Sequence, residues 1–189
     1  RKRQNRKRRP RARMFKRPAK SRNSFQIPLK YTAAIATDGS GTLSQDFSPD
    51  GVTSAGNWTN LTGLYDTFSV KAMKIRLIPR YMSATSETIT NYHRGTALTC
   101  VDWDGTGLPT TVAQVLQYGN MKYRDPSKPF NMYVRIPKKY RPVMNDMATG
   151  FNTTDNKNVK IVLFGDAWSA SVQAYFYVIT YYVTCYGLR

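Results

Sequence analysis

The chain has 189 residues, 41% of them hydrophobic, and sets 29 Lys and Arg against 11 Asp and Glu for a net charge of +18. That length gives one domain with a substantial core. No apolar run reaches the roughly 18 to 20 residues that cross a bilayer, so no membrane insertion is expected, and an Arg-rich start without an apolar segment is no secretory signal, which points to synthesis inside a cell.

Thirteen of the first 22 residues are basic and none is acidic: Arg1, Lys2, Arg3, Arg6, Lys7, Arg8, Arg9, Arg11, Arg13, Lys16, Arg17, Lys20 and Arg22. With only Ala12, Met14, Phe15 and Ala19 to offer a core, this stretch cannot collapse against its own repulsion. It reads as an arm, residues 1–22, disordered or ordered by a partner, in front of a folded body, residues 23–189. Nucleic acid, an anionic membrane or an acidic protein would each neutralise it. The excess of Arg over Lys favours nucleic acid, because guanidinium grips phosphate in a two-toothed fork and stacks on bases. The run from Lys2 to Arg11 also fits a nuclear-localisation pattern, read by a host import receptor. Beyond the arm, 16 basic residues face 11 acidic ones, so most of the charge sits at one end. Binding through counterion release, with little sequence reading, is the expected mode.

The body reads as strands. Phe25, Ile27, Leu29 and Tyr31 alternate with polar neighbours, and Pro28 marks an edge or a bulge. Asp38–Gly41 is a turn, 41–47 a second strand, and 48–63 a polar loop with one helical turn near Trp58. The third strand, 65–81, is the clearest: Met73, Ile75 and Leu77 fall on one face, Lys74 and Arg76 on the other. A loop at 83–94 leads to a strand at 95–103, then a short helix from Val112 to Tyr118 capped by Thr110 or Thr111. Strands at 118–124, 129–136, 159–166 and 171–186 complete the chain. Eight strands, almost no helix and irregular loops predict an all-β fold, a single eight-stranded antiparallel jelly roll.

Chemistry is sparse. His93 stands alone in a polar loop, and Cys100 and Cys185 lie far apart in apolar strands, so neither a catalytic dyad nor a zinc site is expected and the cysteines read as buried free thiols. Asp102 and Asp104 would suit a divalent cation only with help from elsewhere; turn-forming aspartates explain them more simply. The Asn57, Asn60 and Asn152 triplets of glycosylation type carry little weight without a secretory route. No glycine-rich phosphate loop is present, and no cofactor is expected. Tyr175, Tyr177 and Tyr181 share a face that either packs or stacks on bases, with packing the simpler reading. A second basic cluster, Arg135, Lys138, Lys139 and Arg141, is either a solvated rim or, with Lys74 and Arg76, an extension of the phosphate-binding surface. The whole inventory argues for a structural protein and not an enzyme.

Three stretches together resemble the capsid proteins of small circular, Rep-encoding single-stranded DNA viruses, the circovirus-like group. They are the Arg-rich start running into a Phe-containing first strand; Tyr65-Asp66 through Val70-Lys71-Ala72-Met73-Lys74-Ile75-Arg76-Leu77-Ile78-Pro79; and Val101-Asp102-Trp103-Asp104 followed by Leu108-Pro109-Thr110-Thr111 and Leu116-Gln117-Tyr118-Gly119-Asn120. The resemblance implies a coat protein whose jelly roll assembles with itself into a T=1 icosahedral shell of sixty copies. It also implies an arm that holds single-stranded DNA inside the virion and directs the protein to the host nucleus. The chain is short for such a capsid, which implies trimmed surface loops. Twenty-two extended residues reach at most about 75 Å, and sixty such arms would neutralise on the order of 800 phosphates. The alternatives are a coat protein of a small single-stranded RNA or satellite virus, sharing arm and jelly roll, and a cellular nucleic-acid-binding protein with a basic tail.

Overall fold

Period-two alternation of apolar and polar residues decides the architecture, because each strand can bury only one of its faces. In the computed structural model, which describes residues 24–80, 94–105, 107–141 and 143–189, nine strands form. They are β1 (Ser24–Ala36), β2 (Leu43–Phe47), β3 (Tyr65–Pro79), β4 (Leu98–Asp102), β5 (Lys122–Tyr123), β6 (Phe130–Arg135), β7 (Asn145–Asp146), β8 (Lys160–Gly165) and β9 (Gln173–Leu188). Two five-residue helices, α1 (Trp58–Thr62) and α2 (Val112–Leu116), and 3-10 turns at Pro49–Ser54 and Lys138–Tyr140 fill the connections. The arm and residues 81–93, His93 among them, lie outside the described residues.

Pairing is nested. β4 pairs β5, β3 pairs β6, β2 pairs β8 and β1 pairs β9, all antiparallel, as if the chain had folded back once on itself around the β4–β5 connection. This ribbon then rolls, so that successive pairs alternate between two sheets ordered β1-β9-β3-β6 and β2-β8-β4-β5. That is the jelly roll the strand count predicts. The eight expected strands all form. The ninth, β7, adds two residues beside the start of β3. It went unread because a two-residue strand carries no periodicity.

Between the sheets lies the main core, where Met73, Ile75, Leu77, Ile161, Leu163 and Ile179 are at most 1% exposed. Trp58 meets Phe68 edge to face at 4.8 Å, which fastens α1 to β3. At about 25 cal/mol per Å² of apolar area, burial of this interior is the main force holding the sheets together. A second cluster, Leu98, Cys100, Val115, Val162 and Phe164, lies on the far side of the β2-β8-β4-β5 sheet. There α2 covers the outer surface, anchored by Thr111, whose hydroxyl accepts from the Gln114 amide at 3.3 Å.

Turn chemistry follows the residues. The Asp38 carboxylate accepts from the amides of Ser40 and Thr42 at 2.9 and 2.8 Å, closing the turn before β2. Gly41 there adopts φ +76°, and a Cβ would lie 2.1 Å from the Trp168 carbonyl oxygen, so no other residue fits unstrained. The 144–158 loop is tied by asparagines: Asn145 Oδ1 accepts from the Asn152 amide at 2.7 Å and from Asn156 Nδ2 at 3.1 Å.

Candidate nucleic-acid interface

One sheet face is left uncovered by the described residues. The outer surface of the β2-β8-β4-β5 sheet is capped by α2 and its apolar cluster. The outer surface of β1-β9-β3-β6 has no such cover among the described residues, and its side chains differ in kind. Register builds it row by row. Pro28, Tyr182, Ala72 and Arg135 stand side by side across the four strands; the next row is Lys30, Thr180, Lys74 and Tyr133; the next is Thr32, Val178, Arg76 and Asn131. Lys30, Lys74, Arg76, Tyr133, Arg135 and Tyr182 are all exposed, and no Asp or Glu occupies these rows.

A β-bulge between Val70 and Ala72 adds another cation. It inserts Lys71 as an extra residue, and the Lys71 Nζ lies 5.6 Å from the centre of the Tyr186 ring on the same outer surface. The arm joins this sheet directly, since its chain leads into Ser24, which pairs with Tyr186 at the start of the edge strand β1. Pro28 in that edge strand fits the missing backbone donor to a position with one free side.

Lys74 and Arg76 thus stand where the alternation of β3 puts them, outward and exposed, while Met73, Ile75 and Leu77 are fully buried on the other face. The second basic cluster divides. Arg135 joins the open face. Arg141 sits close by, its guanidinium half-buried with Nε donating to the Ile136 carbonyl at 2.9 Å, and burial lowers its pKa. Lys139 turns away to the Tyr140 ring, 4.6 Å distant, and Tyr140 stacks on Trp103.

The three tyrosines of β9 are a core feature. Tyr175 is fully buried and Tyr181 is 3% exposed, and Tyr177 packs on Phe47 edge to face at 5.0 Å. Burial pushes the Tyr181 hydroxyl well above the ordinary phenol value. The outward aromatics are those of opposite parity, Phe176 and Tyr182, with Tyr133 beside them. The shared face expected for Tyr175, Tyr177 and Tyr181 is the inward one, and the same alternation turns Phe176 and Tyr182 outward.

Elsewhere the side chains do local work. Asp102 is 2% exposed and accepts from the Asp104 and Gly105 amides at 3.1 and 3.3 Å, as a turn-forming aspartate does. Among the described residues no three His, Cys, Asp or Glu side chains cluster to hold a metal ion. Cys100 and Cys185 are free and buried, one in each apolar cluster, and burial pushes both thiols up to about 11, with Asp102 adding to the shift at Cys100.

No family model matches the chain, and no curated protein does. Solved structures match it along most of its length. The Cocksfoot mottle virus structure superposes with a TM-score of 0.62 at 11% identity, over 87% of this chain and 94% of that one. Tobacco necrosis virus gives 0.60 at 11%, over 87% and 97%. The 60-mer of the BFDV capsid protein gives 0.58 at 15%, over 88% and 95%. What they share is the jelly-roll fold.

Proposed function

We propose that this chain is a viral coat protein that assembles with itself into a small icosahedral shell of sixty copies and packages single-stranded DNA. The observation that carries the reading is the joining of an Arg-rich arm to a sheet face that the described residues leave open, where Lys30, Lys74, Arg76 and Arg135 stand in three rows free of carboxylates. The arm from Arg1 to Arg22 and the pair Lys74 and Arg76 would neutralise phosphates. Such contacts release counterions and read no sequence. A jelly roll that matches coat proteins over nearly its full length, one of them solved as a 60-mer, supports assembly. The same arm would be read by a nuclear import receptor of the host before assembly.

Negative-stain microscopy of the purified full chain tests this. Uniform shells of one size are expected, with nucleic acid inside. Monomers at every salt concentration would overturn it. RNA is the second reading, favoured by the coats of RNA viruses that share the fold. Digesting the polymer released from the shells with deoxyribonuclease or ribonuclease separates the two.

A further inference from the structure

The open face carries a depression that the phosphate contacts leave unused. At the β3 bulge a pocket of about 260 Å³ is lined by Gln26, Pro28, Lys71, Tyr182 and Thr184. Its origin is geometric: the bulge inserts Lys71 between Val70 and Ala72, so that no β9 residue stands opposite it. The volume falls just under the ~300 Å³ where drug-sized pockets begin, room for one flat ring system.

Its chemistry is specific. Thr184, 4% exposed, lies in the pocket wall, and its buried Oγ1 has no hydrogen-bond partner. Tyr182 offers a ring for stacking, Gln26 an amide that both donates and accepts, and Lys71 a cation at the rim. An unpartnered buried hydroxyl, an aromatic wall and a lysine within one small cavity match the three parts of a nucleotide: base edge, base face and phosphate.

Resting on the nucleic-acid reading above, we propose that this pocket receives a single unstacked base of the packaged strand. The base lies against Tyr182 with its edge toward Thr184 and Gln26, and Lys71 meets the adjoining phosphate. Duplex has no free base to insert, so the pocket makes the body selective for single strands, where the arm alone is indifferent.

Photocrosslinking of the full chain tests it, with an oligothymidylate carrying one 5-iodouracil, read by peptide mass spectrometry. Adducts at Tyr182 are expected. They should fall at least fivefold, the equivalent of about 1 kcal/mol, in Lys71→Ala and in Thr184→Val, while adducts on residues 1–22 stay constant. Thr184→Val removes only an unpaired hydroxyl, so it keeps the fold if Lys71→Ala does not. Adducts confined to residues 1–22, or Tyr182 adducts equally strong with the duplex, would overturn the pocket and leave the coat-protein reading standing. Failure to retain either polymer at low salt would overturn both.

Discussion

Tyr133 and Tyr182 meet edge to face with ring centroids 6.3 Å apart, although they stand on β6 and β9, which do not pair with each other. β3 runs between them, and the rings close over it where Ala72 offers only a methyl group. Lys74 and Arg135 border this ridge, so cation and aromatic alternate across the open face. Replacing Lys74 and Arg76 together by Ala is expected to reduce the salt dependence of nucleic-acid binding, lowering the slope of log affinity against log salt by about 1.5. Both residues are exposed, so the unfolding midpoint should hold. An unchanged slope would assign all phosphate contacts to the arm.

Deleting residues 1–22 removes 13 positive charges and leaves every described strand in place. The truncated protein should keep its circular dichroism spectrum and form shells, but the ratio of absorbance at the nucleic-acid and protein maxima should drop to that of protein alone. Loss of the folded spectrum would mean that the arm contributes to the core.

At the turn before β2, Gly41→Ala forces a Cβ onto the Trp168 carbonyl at a positive φ. The clash and the backbone strain together should cost about 2 to 4 kcal/mol, read as a lower denaturation midpoint. Gly39→Ala, two residues away and with open space at its Cβ, is the matched control and should cost far less.

The Asp102 carboxyl titrates above its ordinary value of 3.8, first because burial penalises the charged form and then because the Asp104 carboxyl lies beside it. Between the ordinary and the raised value the folded chain binds more protons than the unfolded one, so stability falls as pH rises through that window. Asp102→Asn keeps an oxygen for the Asp104 and Gly105 amides and loses the charge. It should unfold later than the parent at neutral pH and show a flatter pH profile, measured by urea denaturation from acid to neutral pH. A variant less stable at neutral pH would show that the carboxylate is compensated.

Cys100 and Cys185 are shielded from solvent, and with both thiols held near 11 almost no thiolate is present at physiological pH. Iodoacetamide should label neither in the folded protein and both in denaturant.

Much of this was legible in the residues, and the exceptions share a cause. Strong alternation, as at Met73 to Leu77, gave both the strand and its inward face, because burial enforces period two wherever a long strand crosses the core. The cap was readable as Thr110 or Thr111 from their place before the helix, and Thr111 fills it. The stretch 118–124 was expected as one strand, yet only Lys122–Tyr123 pairs, because Tyr118 and Met121 are drawn instead onto the apolar cluster beneath α2. The 3-10 turns at 49–54 and 138–140 were hidden in loops whose residues carry no apolar period. The open face itself was only half visible. Lys74 and Arg76 could be placed on it, but Lys30, Arg135 and Tyr182 join them through pairings between residues more than sixty positions apart, which no local pattern encodes.

The arm ends at Arg22, two residues before Ser24 pairs with Tyr186 on the edge strand of that face. Under the proposed function, a strand held by the arm would meet the sheet in an intramolecular step, which would raise its effective concentration there. Two individually modest grips on the same polymer would then act as one avid grip, the arm engaging first and the sheet second.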